Sequence, residues 1–343
     1  MSLLRDFDEC SIDLNGKDIL LTGGTGSFGK KFVETVVNRY EPNRLIIFSR
    51  DEAKQHEMQT RFGLEKYPFM RYFIGDVRDY ERLVMAMRGV DYVVHAAALK
   101  HVTVAEYNPF ECIKTNVIGA ENIVNASLQT GVKKVLALST DKAANPVNLY
   151  GASKLASDKI FIAANNLSGS KGTSFSVVRY GNVIGSRGSI IPVFKKIIAG
   201  GTSSLPITDD RMTRFVITLQ QGVDFVLSCM SSMNGCEVFV PKIPSVNIVD
   251  IAEAMAPGID THIIGIRPGE KLHETLISID DARTTVEMDD RYIIFPAHDF
   301  RSNSAFEGDG MGDEFTYVSD LNVEWLNADE IRDLLTQVPI EVV

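Results

Sequence analysis

The sequence predicts an α/β fold in which a doubly wound parallel sheet is joined to a smaller, mixed α/β C-terminal part. Short apolar runs alternate with amphipathic stretches through the first half of the chain, and these runs are apolar on both faces. Both observations are typical of parallel strands that are covered by helices on either side. The pattern changes after Arg179, where a Gly-rich, irregular segment begins.

The elements of the sheet can be placed in order from this alternation. Strands are predicted at 18–22, 45–48, 72–74, 92–95, 135–138 and 175–178, and helices at 30–39, 52–62, 80–88 and 110–129. Shorter helices are predicted near 219–230, 248–255 and 331–335. We therefore expect a first domain over residues 1–180, to which 218–245 returns, and a second, smaller domain over 181–343 that closes over the carboxyl edge of the sheet.

Composition excludes several classes of function. The chain has 343 residues, 45% of them hydrophobic, and a formal net charge of −10, which disfavours general binding to nucleic acid or to an anionic membrane. No stretch approaches the roughly 18 apolar residues of a membrane span, and the acidic start is not typical of a secretory signal. The four cysteines and six histidines lack metal-ligand spacing. We expect a cytoplasmic protein with reduced thiols and no metal.

A Gly-rich turn follows the first predicted strand and opens the first predicted helix. Glycines spaced in this way allow a tight turn, close approach of the backbone to a pyrophosphate, and close packing of the helix. The helix N-terminus adds N–H groups that bind anions. The strand–turn–helix context favours a dinucleotide site over a plain turn. The cofactor-binding residues predicted in this turn are Gly23, Thr25, Gly26, Ser27, Phe28 and Gly29.

The end of the second strand indicates which dinucleotide is bound. NAD sites usually place an acid there, about 20 residues past the glycines, whereas this chain has Ser49, Arg50 and Asp51, followed by Lys54. Arg50 and Lys54 suit a 2′-phosphate, with Ser49 as a hydrogen-bond donor, while Asp51 favours NAD. We predict NADP, with NAD or a solvated charged turn as the alternatives. The other predicted cofactor-binding residues are Asp76, Val77, Ala96, Ala98 and Lys100.

A cluster of reactive side chains follows the fifth predicted strand. Thr140, Asp141 and Lys142 come directly after its apolar run, and Tyr150 and Lys154 lie four residues apart at the start of a helical pattern. Residues at this spacing share one helix face. The lysine ammonium and a nicotinamide cation would lower the pKa of the tyrosine, so that a phenolate accepts a proton from an alcohol as hydride leaves. We predict a catalytic role for these five residues, with Tyr150 and Lys154 also contacting the cofactor.

These motifs resemble the extended short-chain dehydrogenase/reductase superfamily, which has a Rossmann fold. Within it, the chain closely resembles the inverting UDP-N-acetylglucosamine 4,6-dehydratases, which begin pseudaminic acid synthesis in bacteria. The resemblance covers residues from about 16 to about 275 and is carried by FIGDVRD (73–79), HAAALKH (95–101), AEYNP (105–109), STDKAANP (139–146), RYGNV (179–183) and RPGEKLHE (267–274).

The resemblance implies a dehydration in which the cofactor ends as it began. Hydride would move from sugar carbon 4 to tightly held NADP while Tyr150 accepts the hydroxyl proton and Thr140 holds the carbon 4 oxygen. A base would then remove the proton of carbon 5, an acid would protonate the departing hydroxyl of carbon 6, and hydride would return to carbon 6.

The acid and the base are assigned to neighbouring residues. Asp141 fits the acid if enclosure raises its pKa. Lys142 fits the base if burial and the cations Lys154 and Lys100 keep it neutral. The resemblance also gives Lys142 the return of a proton to the opposite face of carbon 5, which inverts that centre.

The second part of the chain is expected to bind the nucleotide of a UDP-sugar. The resemblance implies that Asn182, Arg267 and Glu270 contact the nucleotide. Lys100, which comes from the first part of the chain, is expected to reach both the cofactor and the sugar. For Arg187, Arg211 and Arg214, a structural ion pair is the alternative to a phosphate contact. The resemblance also suggests a homo-oligomer, with a hexamer as one candidate. The predicted substrate-binding residues are Lys100, Asn182, Arg187, Arg214, Arg267 and Glu270.

Two other kinds of function share parts of this pattern. A UDP-sugar 4-epimerase or a retaining 4,6-dehydratase would keep Tyr150 and Lys154, but an epimerase has no need of an acid–base pair after Thr140. A nucleotide-sensing module without activity tends to lose the tyrosine or the lysine. The pair Asp141 and Lys142 therefore favours inverting dehydration. The acidic segment 307–314 receives no role.

Overall fold

The computed structural model describes residues 5–7, 10–169, 172–186, 189–297, 306 and 308–337. Its strands are β1 (Asp18–Thr22), β2 (Arg44–Ser49), β3 (Met70–Ile74), β4 (Tyr92–His95), β5 (Lys134–Thr140), β6 (Ser174–Tyr180), β7 (Asn182–Val183), β8 (Ser204–Ile207), β9 (Thr213–Ile217), β10 (Val238–Pro241), β11 (Ser245–Asn247), β12 (Asp260–Ile263), β13 (Thr275–Ile277), β14 (Thr285–Glu287), β15 (Arg291–Ile294), β16 (Asp309–Gly310) and β17 (Tyr317–Val318). Its helices are α1 (Ser27–Arg39), α2 (Glu52–Arg61), α3 (Tyr80–Ala86), α4 (Val102–Tyr107), α5 (Pro109–Ile113), α6 (Gly119–Thr130), α7 (Leu149–Ser168), α8 (Ile190–Ala199), α9 (Leu219–Ser232), α10 (Ile248–Met255), α11 (Ile279–Ala282) and α12 (Ala328–Gln337).

Within the described residues, the main sheet has ten strands in the order β16-β14-β15-β10-β6-β5-β4-β1-β2-β3. The strands from β10 to β3 in this order pair in parallel, whereas β15, β14 and β16 are antiparallel additions at one edge. The predicted doubly wound parallel sheet is confirmed. Because the strand order reverses between β1 and β4, a crevice opens at the carboxyl ends of these strands, where ligands of such sheets bind.

The chain crosses between its two predicted parts more than once. Helix α9 and strand β10 lie within 218–245, and β10 pairs with β6 in the main sheet. Strands β14 to β16 join the same sheet from beyond residue 245. A separate hydrophobic cluster, which includes Phe194, Leu205, Ile251 and Leu334, packs α8, β8, α10 and α12 together. The elements of this second core therefore alternate along the chain with strands of the main sheet, so neither part is one continuous segment.

The helix predicted at 110–129 is interrupted by a π-helical turn, Lys114–Ile118, between α5 and α6. Asn116 is buried in this turn. Its Oδ1 accepts the Leu99 N–H at 2.8 Å, and its Nδ2 donates to the Leu99 carbonyl at 3.0 Å and to Ser153 Oγ at 2.9 Å. The widened turn thus presents a side chain that fixes the backbone after β4. Such π-turns are frequent at functional sites. None of the helices in the described ranges is long and apolar enough to cross a membrane.

Replacing Gly29 by alanine is expected to destabilise the first β–α unit. A Cβ atom at Gly29 would overlap the backbone of Gly24, so α1 would have to move away from the turn. Overpacking of this kind costs about 1–3 kcal/mol of the free energy of unfolding, and a thermal or denaturant unfolding curve measures it.

Gly222→Ala is the matched control for Gly29→Ala. Gly222 also lies in a helix, α9, but an added Cβ there meets nothing within 4 Å. Alanine favours the helix by about 1 kcal/mol over glycine. Equal losses of stability in the two variants would contradict the packing role given to Gly29.

Candidate active site

The carboxyl ends of the parallel strands open into a cavity of about 990 Å³. Of the described residues that the sequence predicts for the site, all but Asp141 and Arg211 line this cavity. Asp141 lies directly behind the wall and is 1% exposed. Arg187 lies outside the described residues. Among the described residues, no group of three or more His, Cys, Asp or Glu could hold a metal ion.

The Gly-rich turn is held tightly against the end of β4. Gly23 has φ +66°, and a Cβ there would lie 2.8 Å from the backbone of Ala96 and Ala97. The Thr22 hydroxyl accepts the N–H groups of those two residues at 3.2 and 3.3 Å, so its proton is directed to Nδ1 of His95 at 2.8 Å. Burial, with the charge of Lys154, lowers the pKa of His95 to about 3. The imidazole is therefore neutral and serves as a structural acceptor.

The N-terminus of α1 fits the pyrophosphate of a dinucleotide. This helix begins after Gly26, and no side chain in the described part of the chain caps it. A Cβ at Gly26 would meet only the Gly23 carbonyl oxygen, at 3.3 Å, so the side of the turn that lines the cavity is open to a ligand. An uncapped helix N-terminus behind a glycine turn favours a negatively charged group.

The end of β2 presents a cation at the mouth of the cavity. Asp51 caps α2 by accepting the Lys54 N–H at 3.0 Å, and its carboxylate pairs with the Lys54 ammonium at 2.9 Å. Ser49 Oγ accepts a hydrogen bond from Gln55. The Arg50 side chain is 59% exposed and lies 3.9 Å from the Asp76 carboxylate. Asp51 is thus engaged by the helix that it caps, while Arg50 remains accessible to a phosphate.

Lys142 lies between two carboxylates. Its Nζ donates to Asp141 Oδ1 and to Glu274 Oε1, each at 3.0 Å. Thr140, the last residue of β5, donates its hydroxyl to the same Asp141 oxygen at 2.8 Å. The end of β5 and the short 3₁₀ turn that follows it position Thr140, Asp141 and Lys142, and the segment before β13 positions Glu274. We call Asp141, Lys142 and Glu274 the charged triad.

The surroundings of Lys142 differ from the expectation that it is neutral. Burial lowers the pKa of Lys142, but the carboxylates of Asp141 and Glu274 raise it by more, so the pKa lies above its ordinary value. Neither Lys154 nor Lys100 accounts for its charge state; of the nearby cations, Arg214 opposes the rise. Both carboxylates favour the ammonium form of Lys142, and the second of them, Glu274, comes from a part of the chain 132 residues away.

Tyr150, Lys154 and Asp158 lie along one face of α7, each four positions after the one before it. Burial raises the pKa of Tyr150 to about 12, and the charge of Lys142 opposes this rise. Lys154 Nζ donates to the Leu138 carbonyl at 2.9 Å. Burial lowers the pKa of Lys154 and raises that of Asp158, and each charge opposes the shift of the other.

The protein itself holds one of the predicted substrate residues, Arg214, firmly in place. Arg214 is 6% exposed and donates to the carbonyls of Thr213, Lys271 and Leu272. It also lies 3.7 Å from Glu270 and from Glu274, so it clamps the 270–274 segment. Lys100, Asn182 and Arg267 also line the cavity. Arg211, which is paired with Asp209 at 2.8 Å, does not line it.

Sequence reasoning missed three residues that organise the site. Glu274 lies in the RPGEKLHE string, but nothing in the string indicates that it pairs with Lys142, 132 residues away. Asn116 is hidden in a helical pattern. Asp158 could have been found from helical spacing, since it follows Lys154 by the same interval that separates Lys154 from Tyr150.

Comparisons with known proteins cover nearly the whole chain. A family model described as polysaccharide biosynthesis protein matches residues 19–296. A UDP-N-acetylglucosamine 4,6-dehydratase (inverting) of Campylobacter jejuni subsp. jejuni serotype O:23/36 (strain 81-176) is 57% identical over 329 residues, which are 94% of this chain and 98% of that protein. A UDP-glucose 4-epimerase of Rickettsia canadensis (strain McKiel) is 40% identical over 333 residues, which are 93% and 95% of the two chains.

A solved structure shows the same architecture. The X-ray structure of Pen from Bacillus thuringiensis has a TM-score of 0.85 and 36% sequence identity to this chain, and the match covers 95% of this chain and 100% of that one. The similarity therefore includes both the sheet and the smaller C-terminal core.

Proposed function

Because this chain belongs to the polysaccharide biosynthesis protein family of extended short-chain dehydrogenases/reductases, we propose that it converts UDP-N-acetylglucosamine to UDP-2-acetamido-2,6-dideoxy-β-L-arabino-hexos-4-ulose, with NADP as cofactor. One observation carries this proposal: a charged acid–base unit lies beside Tyr150 in the cavity. Oxidation of carbon 4 alone requires a tyrosine and a dinucleotide. Removal of water requires further proton carriers, which the charged triad supplies.

The proposed reaction divides the work among these side chains. Bound NADP would take the hydride of carbon 4 and return it to carbon 6. Tyr150 accepts the proton of the carbon 4 hydroxyl, and Thr140, which also lines the cavity, orients that oxygen. Asp141 supplies the proton for the departing carbon 6 hydroxyl. Because Asp141 lies behind the wall, this proton passes through Thr140 or Lys142, both of which donate to its Oδ1.

The protons of this scheme balance. Tyr150 gains one proton in the oxidation. Thr140 connects Tyr150 to Asp141, since its hydroxyl donates to Asp141 at 2.8 Å and interacts with the Tyr150 phenol. Asp141 begins as the carboxylate that pairs with Lys142, so the proton passes from Tyr150 through Thr140 to Asp141 before the elimination, in which Asp141 loses it to the departing hydroxyl, and both groups end as they began. Lys142 acts on the proton of carbon 5.

A 4-epimerase is the second candidate, because relatives named UDP-glucose 4-epimerase also match along the whole chain. An epimerase returns hydride to carbon 4 and never breaks the bond between carbon 6 and its hydroxyl. The charged triad would then have no proton to transfer. The higher identity to the inverting dehydratase supports the first candidate.

The proposal extends to cellular context. We place the reaction in the cytoplasm, as the first step of pseudaminic acid synthesis for flagellin glycosylation, and we propose a homo-oligomer, with a hexamer as one candidate. The exposed apolar side chains on α4 and α5 support self-association: Val104, Tyr107, Phe110 and Ile113 are 48%, 88%, 79% and 37% exposed. Apolar groups clustered in this way are typical of an interface.

The product formed in deuterated water tests the reaction. With UDP-N-acetylglucosamine, we expect a 4-keto-6-deoxy sugar that carries deuterium at carbon 5 and has the L-arabino configuration, as seen by NMR. Retention at carbon 5 would exclude inversion. A 4-epimer that keeps its carbon 6 hydroxyl would exclude dehydration.

Arg50→Ser tests the cofactor. If Arg50 binds the 2′-phosphate, this variant loses a charge-assisted hydrogen bond worth about 1.5–3 kcal/mol, and its Kd for NADP rises roughly 10- to 100-fold. Its Kd for NAD should change little. The control is Arg61→Ser, which removes a guanidinium of similar exposure, 55%, that is paired with Glu34. A parallel loss of NADP and NAD binding would contradict the prediction.

Lys142→Ala tests the charged triad. The variant leaves the carboxylates of Asp141 and Glu274 without their shared cation and removes the proton carrier for carbon 5. We expect product formation to fall roughly 100-fold or more, while reduced cofactor still accumulates when substrate is added. Lys142→Arg is the matched variant, because it keeps the charge but does not release a proton. Normal turnover by Lys142→Arg would show that only the charge of Lys142 matters.

A further inference from the structure

Glu274 is a buried carboxylate, and one of its two oxygens has no hydrogen-bond partner among the described residues. It is 2% exposed, yet it lines the cavity, directly before β13. Its Oε1 accepts the hydrogen bond from Lys142 at 3.0 Å, and its backbone N–H donates to Ser319 Oγ at 2.9 Å. Its Oε2 is buried and has no hydrogen-bond partner within the described part of the chain. A buried polar atom without a partner requires an explanation in function or in a missing ligand.

The proton of carbon 5 needs an acceptor that Lys142 does not provide in this structure. Lys142 Nζ lies 3.0 Å from each of two carboxylates, which stabilise its ammonium form over the neutral amine that a base would need. Asp141 also has a buried oxygen, Oδ2, without a hydrogen-bond partner in the described part of the chain, but Asp141 does not line the cavity, from which Thr140 and Lys142 separate it. Glu274 is the member of the charged triad that combines a carboxylate with a place in the cavity wall.

We propose that Glu274 is the base that removes the proton of carbon 5 and that Lys142 is the acid that gives one back. This assignment rests on the proposed 4,6-dehydration. As the bond between carbon 5 and hydrogen breaks, the proton forms an O–H bond with Glu274. The electron pair forms the double bond between carbons 5 and 6, and the carbon 6 hydroxyl leaves as water with the proton that Asp141 supplies.

The second half of the cycle uses the same hydrogen bond in reverse. When hydride returns to carbon 6, Lys142 Nζ gives a proton to carbon 5 and becomes an amine. The protonated Glu274 then passes its proton to Lys142 along their 3.0 Å contact. Carboxylate and ammonium are restored, with no net change in protons at the pair. Because acceptor and donor are different groups, the proton that returns to carbon 5 is not the one that left it.

Glu274→Gln tests this assignment through two separate measurements. The variant keeps the shape of the side chain but cannot accept the proton. In deuterated water with UDP-N-acetylglucosamine, we expect reduced cofactor to form within about 3-fold of the wild-type rate. Incorporation of deuterium at carbon 5 should fall roughly 100-fold or more. Glu274→Asp, which retains a carboxylate, should recover part of the exchange.

Controls separate this role from a structural one. Asp209→Asn removes a carboxylate that pairs with an arginine outside the cavity, Arg211, at 2.8 Å; we expect it to leave carbon 5 exchange unchanged. Thermal unfolding of each variant reports whether the fold is kept. If cofactor reduction and exchange fall together in Glu274→Gln, or if neither falls, the assignment of Glu274 is overturned. If the wild-type protein forms no 4-keto-6-deoxy product, the proposed function fails as well.

Discussion

The hydrogen-bonded ion pairs of Lys142 with Asp141 and Glu274 are the interaction on which the active site depends. Strand β5 carries Asp141 and Lys142 to the edge of the parallel sheet, but it brings one carboxylate for one cation and leaves the ammonium partly satisfied. Glu274 completes the unit from the segment before β13. Buried charges are stable only when they are paired and hydrogen-bonded. The charged triad therefore forms only when the first half of the chain and the segment before β13 have docked.

Other buried residues hold the backbone segments that carry the site. Arg214 holds the 270–274 segment by its backbone carbonyls, so it fixes Glu274 through main-chain geometry as well as through charge. On the opposite side of the cavity, Thr22 and Asn116 hold the backbone after β4 by uncharged hydrogen bonds. Neutral contacts thus shape the region predicted to hold the dinucleotide, and charged contacts shape the region that transfers protons.

The sequence predicted features that depend on neighbouring residues and missed those that depend on residues far apart along the chain. The strands were predictable because a parallel strand is apolar on both faces, and the Gly-rich turn because its neighbours along the chain define its context. The charge of Lys142 was not predictable, since its second carboxylate lies 132 residues away and local spacing suggested only Lys154 and Lys100. The break in the helix at 114–118 was missed for a related reason: Asn116 turns inward to bind Leu99, a contact that no helical period reveals.

The geometry of the charged triad also bears on stereochemistry. A single base that removes and returns the proton of carbon 5 acts from one position, so the configuration changes only if the sugar turns between the two steps. Glu274 and Lys142 lie 3.0 Å apart in one wall, so they also reach carbon 5 from the same side, and inversion by this pair requires the ring to turn between the loss and the return of the proton. Having two groups serves another purpose, because one is ready to accept a proton while the other is ready to donate one, and their hydrogen bond resets the pair after each turnover. The charged triad thus supplies the proton carriers for both steps, and the stereochemical outcome depends on the movement of the sugar ring against this wall.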